Sequence, residues 1–235
     1  MIIRCIDFET TGLPPEAGVV EVGWTDVTVT ANAVLIGESI SLLCNPGRPI
    51  EPGAAEVHGI TDDLVADEIP AVQAMAKLME GPDVFCAHFA QFERNFFGGG
   101  DKPWICSCLT AQHLYPDFPN HKNGNLPGLF GLELDPVRSV PLHRAAPDTY
   151  VTASILAHML ERHAASTGSL LASVEAFIAL TKKPRRIDRM PFGKHRGTMI
   201  KDLPDGYLRW AIENMQAKDV AAACKAEMKR RAVPA

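Results

Sequence analysis

Ile2-Ile3-Arg4-Cys5-Ile6-Asp7-Phe8-Glu9-Thr10-Thr11-Gly12 is the stretch on which the fold turns. From Ile2 to Phe8 it is a short apolar run with β-branched residues, the pattern of a buried strand. Side chains two apart on a strand share a face, so Asp7 and Glu9 project together while Phe8 turns the other way into a core. Two carboxylates side by side repel one another unless a cation lies between them. Hard divalent ions such as Mg²⁺ or Mn²⁺ favour such oxygen ligands. Gly12 then lets the chain turn sharply away. Taken alone, the same pattern also describes an exposed acidic pair on a strand.

Downstream, Gly18 to Thr30 alternates as a second strand and Ile36 to Cys44 reads as a third. Their connections are too short for crossover helices, so the three predict antiparallel neighbours. Ala71 to Met79 has helical spacing, Val84 to His88 is a short buried strand, and Ala90 to Phe97 is helical until Gly98-Gly99-Gly100 stops it. Trp104 to Cys108 is one more strand, leading into a helix near Thr110 to Leu114. These elements predict an α/β protein with a mixed five-stranded sheet flanked by helices. From Pro116 to Leu142 the chain is rich in Pro, Gly and Asn, apart from an apolar stretch at Leu126 to Leu132.

A long helix follows from about Arg144 to His163, with Ile155, Leu156, Met159 and Leu160 on one face. Pro147 falls in its first turn, where N–H groups have no intrahelical acceptor and none is lost. Ser166 to Gly168 breaks the pattern, Leu170 to Leu180 suits another helix, and Lys182 to Arg189 is a basic linker. Tyr207, Leu208, Trp210 and Ala211 sit on a final helix. The expected organisation is a core over 1–165, a helix and linker over 166–189, and a small C-terminal helical module over 190–235.

With 235 residues, 46% of them hydrophobic, the chain can bury a sizeable core. No stretch approaches a membrane span, and the first apolar residues run into acids rather than a cleavage site, so a soluble, cytoplasmic protein without membrane partners is expected. Cys5, Cys44, Cys86, Cys106, Cys108 and Cys224 lack paired zinc-site spacing and read as buried free thiols. The net charge of −5 conceals a division: residues 1–181 carry 9 Lys+Arg against 22 Asp+Glu, and residues 182–235 carry 14 against 6. An acidic core can approach a polyanion if cations screen its site and a basic extension supplies phosphate contacts. A solvated basic linker would have the same composition.

Far along the chain lies a second acidic cluster, His143-Arg144-Ala145-Ala146-Pro147-Asp148. A helix starting near Arg144 points Asp148 at the sheet and leaves His143 on the preceding loop. His88-Phe89-Ala90-Gln91-Phe92-Glu93 puts another carboxylate one helical turn beyond a strand end. Four acids and a histidine can therefore converge. Two metal ions about 4 Å apart would stabilise the attacking and leaving oxygens of a phosphoryl displacement. Histidine, which changes charge near neutrality, suits the general base.

Over roughly residues 1–163 these motifs resemble the DEDDh group of 3′-to-5′ exonucleases, which have a ribonuclease-H-like fold. Asp7-x-Glu9 with Thr10-x-Gly12 matches its first motif, and His143 with Asp148 matches its third at the same five-residue separation. The loop Val57-His58-Gly59-Ile60-Thr61 is also of the family's type, and by resemblance lies against the terminal nucleotide. The resemblance implies metal ligands Asp7, Glu9, Glu93 and Asp148, with His143 completing the catalytic set. It implies substrate contacts from Thr10, Thr11, Gly12, His58, Gly59, Ile60 and His88, and from Lys194 and Arg196 in the basic tail. It further implies two Mg²⁺ or Mn²⁺ ions and a DNA substrate, as a single strand or a duplex 3′ end. The second motif departs from the family pattern, with Phe89 in place of asparagine and Glu93 in place of aspartate. An exoribonuclease of the same fold and a silenced nucleic-acid-binding core are the alternatives, and the oligomeric state is not encoded in these motifs.

Overall fold

The computed structural model describes residues 1–184 and 187–232. They fall into two compact units, Met1–Ala111 with Phe118–Lys182, and Gln112–Asp117 with Lys183–Ala235. Arg185 and Arg186 of the expected basic linker lie outside the described residues.

The first unit is built on a five-stranded sheet of order β3-β2-β1-β4-β5, formed by β1 (Ile2–Thr10), β2 (Val19–Val29), β3 (Val34–Leu43), β4 (Val84–Ala87) and β5 (Trp104–Cys106). The pairs β1–β2 and β2–β3 are antiparallel, whereas β1–β4 and β4–β5 are parallel. Between β3 and β4 run α1 (Pro52–His58), α2 (Asp62–Val65) and α3 (Ala71–Ala76). Next come α4 (Ala90–Phe96), α5 (Ser107–Leu114), α6 (Leu126–Phe130), α7 (Ala145–Thr167) and α8 (Leu170–Thr181).

Alternation along β1 divides the two faces of the sheet. Ile6 and Phe8 face a core with Val22, Leu78, Phe85 and Trp104, against which Phe96 and Phe97 pack. The opposite face of β1, β2 and β3 is covered by α7. Both faces are therefore buried, which is why β1 reads as a nearly continuous apolar run.

Four details depart from the sequence expectation. The helix α1 was hidden because Pro52-Gly53 reads as a breaker, although the proline occupies the first turn, where no backbone bond is lost. Within the loop over 116–142, α6 forms from the apolar stretch, with Gly131 in the left-handed conformation as its cap. The helix expected outside the core, α8, packs on α7 and β5, so the first unit runs on to Lys182. The chain does not end on the helix bearing Trp210, α9 (Asp205–Asn214), since α10 (Lys218–Arg231) follows it. All six cysteines are buried and free, and no single helix among the described residues is long and apolar enough to cross a membrane.

The second unit has its own core of Met190, Ile200, Leu203, Leu208, Ala211, Val220 and Cys224. Its helix ends are tied by Arg231, which donates to the carbonyls of Lys201 and Leu203 and pairs with Glu227 and Asp205.

Candidate active site

Asp7 and Glu9 emerge near the carboxyl end of β1, on the face covered by α7. Asp148 lies in the first turn of α7 and meets them there, and one oxygen from each of the three lies within 4.8 Å of the others. Burial, followed by the charges of Glu9, Glu93 and Asp148, raises Asp7 well above the ordinary carboxylate range. For Glu9, burial and then Asp148 and Glu21 raise the value to about 7, against the pull of Arg144. Asp148 is also raised, chiefly by burial. Such crowding is unfavourable without a cation, and the donor set is all oxygen, which suits a hard divalent ion.

Glu93 stands outside that trio but within electrostatic reach of Asp7. It is 3% exposed, its Oε2 has no hydrogen-bond partner, and burial pushes its carboxyl up to about 8. A buried orphan oxygen is destabilising unless something binds it. The observation fits a ligand that needs one more oxygen donor.

His143 precedes α7 and is exposed. Its φ of 60° is the one positive value for a non-glycine residue among the described residues. Its backbone N–H donates to Asp148 Oδ2 at 3.2 Å, coupling the strained residue to the carboxylate cluster.

Other expected contacts are placed differently. The His58 ring is buried: Nδ1 accepts from the Ile60 N–H at 3.0 Å, which leaves the proton on Nε2 to donate to the Thr10 carbonyl at 3.2 Å. Ile60 joins a core with Val20, Ile50 and Val65, so its side chain is not at a substrate surface. Gly59 takes a left-handed conformation (φ 71°) as the cap of α1. The Thr10 hydroxyl donates to the Gly12 carbonyl, while that of Thr11 accepts from the Gly18 N–H. Both hydroxyls thus close the loop after β1 instead of facing outward. A Cβ on Gly12 would lie 2.5 Å from the Glu51 carboxylate, the far end of an exposed side chain that can swing aside. Both His88 nitrogens are occupied, by the Ser107 hydroxyl and the His121 carbonyl, and burial drops its value to about 4. His88 thus ties the end of β4 to Ser107 and to the loop around His121. Lys194 and Arg196 are exposed on the second unit.

A stripe of β2 outside those motifs seats α7. Glu21, Gly23 and Thr25 share a face, and the first two pair in register with Glu9 and Asp7. Glu21, 1% exposed, accepts from Arg144 Nε and Nη2 at 2.9 and 2.8 Å and from the Ala145 N–H at 3.0 Å. Burial opposes its charge, but the Arg144 fork and the Ala145 amide outweigh it and hold the carboxyl below its ordinary range. Thr25 and Thr149 hydroxyls meet at 2.9 Å. At Gly23 an added Cβ would stand 2.5 Å from the Ala145 carbonyl carbon. The available signal was Glu21 and Gly23 set among Val19, Val20, Val22 and Trp24 in a strand, where glycine marks close approach of another backbone. Gly23→Ala must push the first turn of α7 off the sheet. The expected loss is roughly 1–3 kcal/mol, as for other overpacked sites, and a thermal melt checks it.

Comparison with known proteins agrees with this geometry. The model of the family described as "Exonuclease" matches residues 5–156, and that of the "Putative quorum-sensing-regulated virulence factor" family matches residues 185–216. The chain is 31% identical to Exodeoxyribonuclease 10 of Escherichia coli (strain K12) over 219 residues, 92% of this chain and 93% of that one. It is similar to the solved structure of Exonuclease X in complex with 5′ overhanging duplex DNA, with a TM-score of 0.62 and 30% identity over 76% of this chain and 99% of that one. The nuclease domain of 3′hExo, a DEDDh family member bound to rAMP, shares the fold at a TM-score of 0.54 and 19% identity, over 68% of this chain and 92% of that one. The carboxylate trio, the histidine ahead of Asp148 and these likenesses lead to one conclusion: the chain belongs to the exonuclease family, with the ribonuclease-H-like fold.

Proposed function

We propose that this protein hydrolyses DNA from the 3′ end, releasing nucleoside 5′-monophosphates in DNA repair or proofreading, with Asp7, Glu9, Glu93 and Asp148 holding two Mg²⁺ or Mn²⁺ ions and His143 as general base. The observation that carries the reading is the convergence of Asp7, Glu9 and Asp148 within 4.8 Å of one another, with the backbone N–H of the exposed His143 bonded to Asp148. The relative named Exodeoxyribonuclease 10 and the DNA complex of Exonuclease X support DNA as the substrate.

Divalent ions in such a site supply Lewis-acid stabilisation of charge developing on phosphodiester oxygens. The protein's own part is to hold four carboxylates at the end of β1 and the starts of α4 and α7. Glu93, longer by a methylene than aspartate, brings an oxygen with no other partner. An imidazole nitrogen of His143 takes the proton of the attacking water, and its place on a loop lets it approach once substrate is seated.

Incubating the protein with 5′-labelled DNA and RNA, with and without Mg²⁺, tests the reading. Stepwise shortening of DNA from the 3′ end that stops on chelation is expected. Metal-independent cleavage or RNA-only cleavage removes it. His143→Ala is expected to slow turnover by about a hundredfold while metal binding is retained, in line with the loss of a general base. An unchanged rate would make His143 a structural residue.

A further inference from the structure

The tail is chemically unlike the core, and its exposed side chains explain why. On α9, Leu208 and Ala211 point into the core of the second unit, so Tyr207 and Trp210, three residues apart, share a more exposed face. Their rings lie 5.5 Å apart with planes inclined by 33°. His195 borders this pair, its ring 4.3 Å from that of Tyr207 and inclined to it by 62°, an edge-on contact. Trp210 is 49% exposed and Phe192 46%, so neither aromatic is consumed by the core it adjoins.

The row is framed by cations that make no ion pair among the described residues. Gly193 (φ 75°) and Gly197 (φ 83°) bound a tight turn, closed by bonds from Arg196 N–H to Gly193 and from Thr198 N–H to His195. Its apex presents Lys194 and Arg196 on either side of His195. Arg230 and Arg231 are engaged by Glu227 and Asp205, and Arg189 donates to the Gly197 carbonyl. Lys194, Arg196 and Arg209, by contrast, are exposed and make no ion pair among the described residues.

We infer that Tyr207 and Trp210, bordered by His195, form a stacking row for the bases of an unpaired DNA strand, with Lys194, Arg196 and Arg209 contacting its phosphates. Rings in a basic setting match single strands, because every unstacked base offers a π-face and every linkage a charge. Duplex bases are already stacked and offer no such face. The excess of basic residues over 182–235 directs a polyanion to this unit and away from the acidic core. The inference rests on the exonuclease reading only for why a DNA strand is present; the tail then acts as a second, tethered hold on the substrate.

Anisotropy of a labelled oligo(dT), titrated with the full chain in chelator so that nothing is cut, tests the surface directly. Trp210→Ala is expected to weaken binding about tenfold, the range of one base-stacking contact, and Trp210→Phe to retain most of the affinity. Replacing Lys194, Arg196 and Arg209 together by alanine should flatten the log-log salt slope by about 2, at roughly 0.7 per phosphate contact. Failure of the unmodified chain to cut any DNA would sink the exonuclease reading and leave the binding result standing. The inference is overturned by unchanged affinity and slope, by a loss that Trp210→Phe does not recover, or by tighter binding of oligo(rU) through the same residues. It is also overturned if Trp210→Ala instead dissociates an oligomer in sedimentation, which would make the row a protein contact.

Discussion

Asp7→Asn should reduce cleavage by about three orders of magnitude, the equivalent of several kcal/mol of metal-borne transition-state stabilisation. The same change should make the metal-free protein more stable at neutral pH. Asp7 lies among Glu9, Glu93 and Asp148, and each of the four carboxyls has its value raised by burial, reinforced at Asp7 and Glu9 by neighbouring charge. A folded value above the unfolded one means that the native state binds more protons than the unfolded chain. That contribution to stability is complete below the ordinary carboxylate range and is lost as pH rises through the folded values, about 7 for Glu9 and about 8 for Glu93. Without metal, the unmodified protein should therefore lose melting temperature between about pH 4.5 and 8, and Asn at position 7 should lessen that loss. Mn²⁺ should restore the unmodified protein at pH 8 and do little for the variant. Equal turnover, or an equal metal-induced gain in melting temperature, would remove Asp7 from the metal site.

How far such a site is legible in sequence depends on how local each constraint is. Asp7 and Glu9 could be read because a strand's period of two places them on one face without knowledge of any partner. His143 and Asp148 could be read because their separation is set within one helix start. The other neighbours of the cluster could not, because their roles depend on register. Glu21 and Gly23 acquire meaning only when β2 pairs with β1 and α7 crosses both. His58 and His88 show what spacing leaves out: both stand near the motifs, and their ring nitrogens bond Thr10 and Ile60, and Ser107 and His121. A histidine next to catalytic residues is as useful for bracing their backbone as for touching substrate. The last helix escaped because Ala221-Ala222-Ala223 dilutes the apolar stripe of α10, whose buried side chains are Val220, Cys224 and Glu227.

Glu21→Ala should then damage both stability and catalysis, although Glu21 belongs to no catalytic motif. The carboxylate joins the bidentate fork of Arg144 to the Ala145 N–H, and so fixes the two residues that link His143 to the first turn of α7. Alanine leaves the Ala145 N–H buried without an acceptor and frees the guanidinium. Breaking a buried ion pair typically costs about 3–5 kcal/mol, and the lower end applies here because Arg144 is already 36% exposed and can rehydrate. Release of the helix start lets Asp148 and His143 drift from Asp7 and Glu9, and a displacement of about 1 Å in a catalytic constellation can cost a hundredfold in rate. Glu21→Gln separates geometry from charge. The amide oxygen still accepts from Arg144 or Ala145, so most of kcat should remain. The Arg144 charge, now unbalanced beside Glu9, should raise the metal concentration needed for half-maximal activity. Denaturant unfolding and metal titrations of activity for both variants check the assignment. If Glu21→Ala lowers stability while kcat and the metal requirement stay at their original values, the stripe supports the fold alone and does not position the site.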